Sequence, residues 1–339
     1  MIDLLPSEEQ QQIIDSVSAF LAAELPLARL RPSPDGDRPR ETELSGDLWQ
    51  RMAGLGWFGL GIPEEQGGAG LTVVAEMLLA RELGRYAVTP SIVATIAATQ
   101  LAQRCGRDLC EGLMSGDRRV AIANRVRVGD DEFHLLDARG ARYCLAVDGT
   151  EALLYETTTF EDVRAVTSLD EAVVLERARL APRIRPLLRD AGGEVAHRLS
   201  LLNSAQLLGV AEAALQLSVD YARAREQFGQ AIGAFQAIKH RCADMAMRVE
   251  AAYAQTFFAG LSQAGGQPDA PYQVAAARLI SADAALANAR SCIQVHGGIG
   301  FTAECDAHVL LKRAHLLGRL GGERRWIRAT LLAQGVAAP

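Results

Sequence analysis

The sequence predicts an α+β protein, mostly α, in the order helices, strands, helices. Three observations carry this. Apolar residues recur at helical spacing through the N-terminal third. After Gly116 the period changes, and Val120, Ile122, Val126 and Val128 alternate as in a half-buried strand. Beyond Gly193 the helical period returns and lasts to the end.

Residues 7–30 are expected to form the first helix. Ser7 can cap it, and Glu8 and Glu9 lie in the first turn, where the helix dipole favours acid. Ile13, Ile14, Val17, Phe20 and Leu21 supply its apolar face. Residues 31–43 are a Pro-rich loop. A second helix is expected over 44–55. The turn-rich stretch 54–71 follows, then a third helix over 73–85 and further helix over 94–106 and 109–113. Short strands are expected at 120–128, 143–147, 153–156 and 172–175, split by Gly, Asp and Thr. Leu199, Leu202, Gln206, Gly209, Ala213 and Leu217 then mark one long helix. The expected organisation is an N-terminal helical domain (1–115), a reduced middle β domain (116–192) and a C-terminal domain like a four-helix bundle (193–339), whose apolar helices are the natural oligomer interface.

Composition excludes some functions. The chain has 339 residues, 49% hydrophobic and 22% charged, an ordinary globular mixture. Its net charge of −6 provides no basic field for nucleic acid. No uninterrupted apolar run can span a bilayer, since 87–102 is broken by Thr, Ser, Pro and Gln. The opening MIDLLPSEEQQQ carries acid where a signal peptide carries base, so a cytoplasmic protein is expected. The six cysteines (105, 110, 144, 242, 292, 305) show no CxxC spacing and are expected to be free buried thiols. Only Lys239 and Lys312 are lysine.

Two segments carry candidate chemistry. In the first, RAREQFG followed by FQAIKH, Arg225 can grip a pyrophosphate bidentately. Phe228 can lie against an adenine or a flavin edge. Gly229 allows a tight turn between helices, and Gln236 offers a donor and an acceptor. In the second, QVHGGIGF, Gln294 precedes the paired glycines Gly297 and Gly298, which let backbone N–H groups approach a phosphate or sugar. His296 reads as a structural, hydrogen-bonded histidine.

Tyr221–Met245 and Gln294–Ala314 together resemble the C-terminal helical domain of the acyl-CoA dehydrogenase flavoproteins, whose patterns RxQFG…FQ…ADM and QxxGGxGF they match. In the N-terminal half, LWQRMAGLGWFGLGIPEEQGGAGL (48–71) and ELGRYAVTPS (82–91) resemble the family's helix–loop segment and the helix end after it. The resemblance implies α,β-dehydrogenation of an acyl-CoA thioester with FAD as cofactor and an electron-transfer flavoprotein as acceptor. It also implies that Arg225, Phe228, Gln236, Gln294, Gly297 and Gly298 bind the adenine-side half of FAD across a subunit interface, for a flavin held by the neighbouring chain.

The chain departs from the pattern twice. The family's usual catalytic glutamate lies about 21 residues beyond the glycine matching Gly300, and here that position is Gly321. Glu323 lies close by but on a different helix face. Some members place the glutamate earlier, and the acid in the corresponding stretch here is Glu194, at an apparent helix start where dipole compensation explains it. The middle region also lacks the Thr-Glu-Pro…Gly-Ser-Asp and Gly-x-Lys motifs that hold the flavin ring in the family; no lysine precedes Lys239. Both losses fit a non-catalytic β-type subunit of an α2β2 assembly, of the kind that acts on steroid side-chain CoA thioesters. Two alternatives stand beside this. One is an active homo-oligomer using Glu194 or Glu323 as base, and the other is a flavin-free binding scaffold.

Overall fold

The computed structural model describes residues 4–31, 44–105, 107–127, 129–320 and 324–334. The first helix, α1 (Glu8–Glu24), begins with a reciprocal cap. The Ser7 hydroxyl accepts from the Gln10 N–H, and the Gln10 side chain accepts from the Ser7 N–H. The expected single helix over 7–30 is broken. Pro26 has no N–H to continue the ladder, so α1 stops and a separate 3-10 turn spans Leu27–Leu30. Helix α2 (Gly46–Gly54) starts at Ser45, whose hydroxyl accepts from the Leu48 N–H. The N-terminal helices finish with α3 (Val73–Arg85), α4 (Ser91–Cys105) and α5 (Arg107–Met114).

The strands are β1 (Val120–Arg125), β2 (Glu132–Leu136), β3 (Tyr143–Asp148), β4 (Glu151–Glu156), β5 (Phe160–Val166), β6 (Leu175–Leu180) and β7 (Leu188–Asp190). They form one sheet in the order β5-β6-β2-β1-β3-β4-β7, antiparallel except for the β1–β3 pair. One face, with Ile122, Leu136, Leu145 and Leu154, joins the helical core. The other face has its own core, where Phe160 meets Phe133 and Tyr155 edge-on. The strand expected at 172–175 begins only at Leu175. Residues before it spend their N–H groups on carboxylates, Ala172 on Asp170 and Val174 on Asp137. Strands β2, β5 and β7 are not legible as apolar runs. Strand β5 lies at the sheet edge and buries only Phe160, so no alternation marks it. Val128 and the loop residues 32–43 lie outside the described residues.

The C-terminal helices are α6 (Glu194–Ala224), α7 (Gln236–Ala264), α8 (Ala270–His296), α9 (Ala307–Leu317) and α10 (Arg324–Gln334). Between α6 and α7 lies a small hairpin, β8 (Glu226–Gln227) and β9 (Gln230–Ala231). Buried Asn288 of α8 ties the bundle together by donating to the Ala211 carbonyl of α6 and the Met245 carbonyl of α7. Helices α3 and α6 touch backbone to backbone. A Cβ on Gly209 would lie 1.9 Å from the Arg81 carbonyl oxygen, so only glycine fits there. Arg81 closes the same contact with both carboxylate oxygens of Glu212, at 2.9 and 2.8 Å.

The cysteines seen in the structure (110, 144, 242, 292 and 305) are free thiols. Burial pushes Cys144 up to about 11 and Cys292 up to about 12, so both stay protonated and inert near neutral pH. None of the described helices is long and apolar enough to cross a membrane.

Candidate functional site

The sequence-predicted nucleotide residues gather at one end of the helical bundle. Helix α6 ends at Ala224, and Arg225 leaves it in an extended conformation. The Arg225 N–H still donates to the Tyr221 carbonyl, and its own carbonyl accepts from the Ile232 N–H, both at 2.8 Å. These bonds fix the backbone while the guanidinium stays exposed; among the described residues it makes no ion pair.

Glu226–Gln227 pairs with Gln230–Ala231 around a two-residue turn, Phe228–Gly229. Both turn residues have positive φ, 53° and 77°, as a type I′ hairpin requires. Glycine adopts this readily. Phenylalanine does not, and the strain of such a position is about 1–3 kcal/mol. The Phe228 ring is 91% exposed, touching the Phe235 ring only edge-on at 6.2 Å. The hairpin holds an aromatic ring out into solvent at a cost in strain.

Helix α7 begins at Gln236. Its N-cap, Phe235, has no side chain to bond the first N–H groups, so the positive end of a 29-residue helix is open at Gln236. At the end of α8, Gln294 is exposed and Gly297 turns the chain with φ 65° and ψ −139°. A Cβ placed on Gly229, Gly297 or Gly298 meets nothing within 4 Å, so these stretches face open space. Gly300 is different. Its Cβ would lie 2.6 Å from the Ile293 carbonyl oxygen, so it is glycine for packing.

Tyr221 and His296 bring the two sequence-distant segments into register. Their rings stack at 4.2 Å, tilted by 25°. His296 is buried, with Nδ1 2.8 Å from the Cys292 carbonyl oxygen, which orients the ring. The stack joins the last turn of α6, just before Arg225, to the last turn of α8, just before Gly297. Sequence reasoning gave Tyr221 no role. The available signal was an aromatic one turn ahead of Arg225 on the same helix face.

The candidate bases lie elsewhere. Glu194 opens α6 and its side chain is 64% exposed in an ion pair with Arg104. That is the arrangement of an acid compensating a helix dipole; a base tuned upward by burial sits differently. Glu194 and Arg225 stand at opposite ends of a 31-residue helix, about 45 Å apart at 1.5 Å per residue, far longer than any dinucleotide. The sheet joins α6 at the Glu194 end, where the β7 residue Asp190 accepts from the Val195 N–H at 2.7 Å. Gly321 and Glu323 lie outside the described residues. The approach to them is held firmly: buried Arg278 donates to the carbonyls of Leu317 (2.6 Å) and Leu320 (2.8 Å), and Asn203 Nδ2 to that of Leu317 (3.2 Å).

The family model described as "Acyl-CoA dehydrogenase, N-terminal domain" matches residues 7–108, and "Acyl-CoA dehydrogenase, C-terminal domain" matches residues 197–335. Acyl-CoA dehydrogenase IpdE2 of Mycobacterium tuberculosis is 32% identical over 313 residues, covering 92% of this chain and 92% of the relative. This chain belongs to the acyl-CoA dehydrogenase family. Acyl-CoA dehydrogenase FadE34 of the same organism is 38% identical over 86% of this chain, and the match spans only 43% of FadE34. Among solved structures, the ChsE4–ChsE5 complex from Mycobacterium tuberculosis has the same fold. The TM-score is 0.79 at 22% identity, over 99% of this chain and 100% of that one. The chain is mostly helical around one mixed seven-stranded sheet, as its sequence predicts.

Proposed function

We propose that this acyl-CoA dehydrogenase works as a subunit that clasps the adenine-side half of an FAD seated in a second acyl-CoA dehydrogenase chain, for the α,β-dehydrogenation of an acyl-CoA thioester. The observation that carries this reading is the separation along α6. Arg225, Phe228, Gln236, Gln294, Gly297 and Gly298 collect at one end, while Glu194 and the β7 edge of this chain's own sheet meet at the other. A nucleotide held at the first end has its reactive head outside this chain.

The donor set fits a nucleotide tail. Arg225 offers a fork to a pyrophosphate, and the open end of α7 adds a positive field. Gly297 and Gly298 leave space for a close backbone approach, Gln236 and Gln294 supply amides, and Phe228 offers a ring face. Bound FAD would accept the substrate hydride; the residues of this chain bind and orient it, and the partner supplies the base. The likeness of fold to the ChsE4–ChsE5 complex is consistent with a heteromeric partner. The three-domain division at 1–115, 116–192 and 193–339, a cytoplasmic setting and electron delivery to an electron-transfer flavoprotein complete the reading.

The test is co-expression with a full-length homologous chain. Flavin absorbance at stoichiometric level, bleached by an acyl-CoA, is expected only when both chains are present. Equal flavin and equal activity from the homologue alone would end the proposal. A yellow, acyl-CoA-responsive preparation of this chain alone would instead establish a self-sufficient homo-oligomer.

A further inference from the structure

The two arms of the clasp leave the bundle from neighbouring helix ends. Arg225 follows the last turn of α6, and its N–H donates to the Tyr221 carbonyl at 2.8 Å. Gly297 follows the last turn of α8, and its N–H donates to the carbonyls of Gln294 and Ile293. Both connecting stretches fold back tightly on these turns. A Cβ on Gly233, beyond the hairpin, would lie 2.9 Å from the Ala222 carbonyl oxygen. One on Gly300 would lie 2.6 Å from the Ile293 carbonyl oxygen and 3.1 Å from His296 Cβ. Each arm therefore moves with its own helix end, and the spacing of the arms is the spacing of those ends.

Lower in the bundle, Asn288 ties α8 to α6 through the Ala211 carbonyl, at 3.2 Å. Tyr221 and His296 lie about 12–15 Å further on, at 1.5 Å per residue. Terminal turns fray unless something holds them. Here the holding contact is the Tyr221–His296 stack, at 4.2 Å and 25°. One of its rings is itself fixed. A carbonyl oxygen only accepts, so His296 Nδ1 carries a proton and donates it to the Cys292 carbonyl at 2.8 Å, and the residue is buried. The Tyr221 ring thus packs on a face that is held in place.

Resting on the clasp function given above, we propose that Tyr221 and His296 are positioning residues for it: their stack is a strut that holds Arg225 and the Gly297–Gly298 turn at the spacing at which both grip one dinucleotide. Neither ring has to touch the nucleotide. The strut acts through the two arms, by removing freedom that binding would otherwise have to remove. The aromatic face carries the effect, and the Tyr221 hydroxyl does not.

Flavin affinity of the two-chain complex reads the strut. Tyr221→Leu is expected to weaken it about fivefold, the worth of one aromatic pair, and Tyr221→Phe to keep it within about twofold. In the Arg225→Ala background, Tyr221→Leu should change affinity by less than about twofold, because the arm it positions is gone. A side chain that merely supports the bundle would give the same factor in both backgrounds. Should Tyr221→Leu not fold, His296→Asn serves the same purpose, since its amide replaces the Nδ1–H donor and removes the ring. If Arg225→Ala weakens flavin binding while the strut variant does not, or does so equally in both backgrounds, the strut is wrong and the clasp stands. If Arg225→Ala leaves flavin binding unchanged, the clasp fails and the strut with it.

Discussion

Gly84 of α3 lies directly against the backbone of Gln206 of α6: a Cβ at position 84 would fall 2.0 Å from the Gln206 carbonyl oxygen. The Gly209–Arg81 contact repeats the arrangement further along α6. Backbone atoms cannot yield as a flexible side chain can, so Gly84→Ala and Gly209→Ala must push the two helices apart. Each is expected to lose about 3 kcal/mol, the upper part of the overpacking range. Chemical denaturation of the variants checks this, and full stability in both would show that the helices slide freely.

Phe228 occupies a left-handed turn position that suits asparagine or glycine. Phe228→Asn should raise stability by about 1 kcal/mol by releasing that strain. Under the proposed function, the same change should speed flavin loss from the two-chain complex. Thermal denaturation and the rate of flavin release, measured together, separate the two effects.

Arg225 bears no load in the fold of this chain, because its guanidinium is exposed without an ion pair among the described residues. Arg225→Ala is therefore expected to keep its melting temperature within a degree or so. Flavin affinity of the complex should fall about 10- to 100-fold, the worth of a charge-assisted bond to phosphate. Arg225→Lys should recover only part of it, since an ammonium cannot match the fork.

Arg313 is the opposite case. Arg313→Met leaves Asp170 buried and uncompensated, and about 3–5 kcal/mol of stability should go with it. Pairing it with Asp170→Asn should restore much of the loss, which a double-mutant cycle would read.

Glu82 is fully buried, with Arg85 at 3.5 Å. Burial raises its proton affinity, with Glu212 adding to the rise and Arg85, Arg81 and the Ser18 hydroxyl only partly countering it. A raised carboxyl stabilises the fold in acid, and that contribution is lost as pH climbs through its folded value. Glu82→Gln should therefore be more stable than the unmodified chain at pH 8, with the difference shrinking on acidification towards pH 4. A difference that grows in acid would contradict this.

Much of the candidate site was legible in the sequence, because its residues are small local patterns. Arg225, Phe228 and Gly229 sit together on one turn, and Gly297 and Gly298 follow one helix end. Glycine and phenylalanine at adjacent positive-φ positions, however, cannot be read from composition; they show only once Glu226–Gln227 pairs with Gln230–Ala231. Strand β5 was hidden for a related reason. An edge strand buries little, so its side chains need not alternate. Pro26, by contrast, carried its message openly, and the break of the first helix there follows from one missing N–H.

The order of helices and strands and the family could be read from the residues in line, which also nominated candidates for a nucleotide grip. Those are properties of local period and of side-chain chemistry, which neighbouring residues suffice to express. It took the tertiary fold to stack Tyr221 on His296, to set Arg225 and Glu194 at opposite ends of one long helix, and to bury the Arg313–Asp170 pair. Each of these depends on contacts between residues far apart in the chain, and no local pattern encodes a distance across the fold.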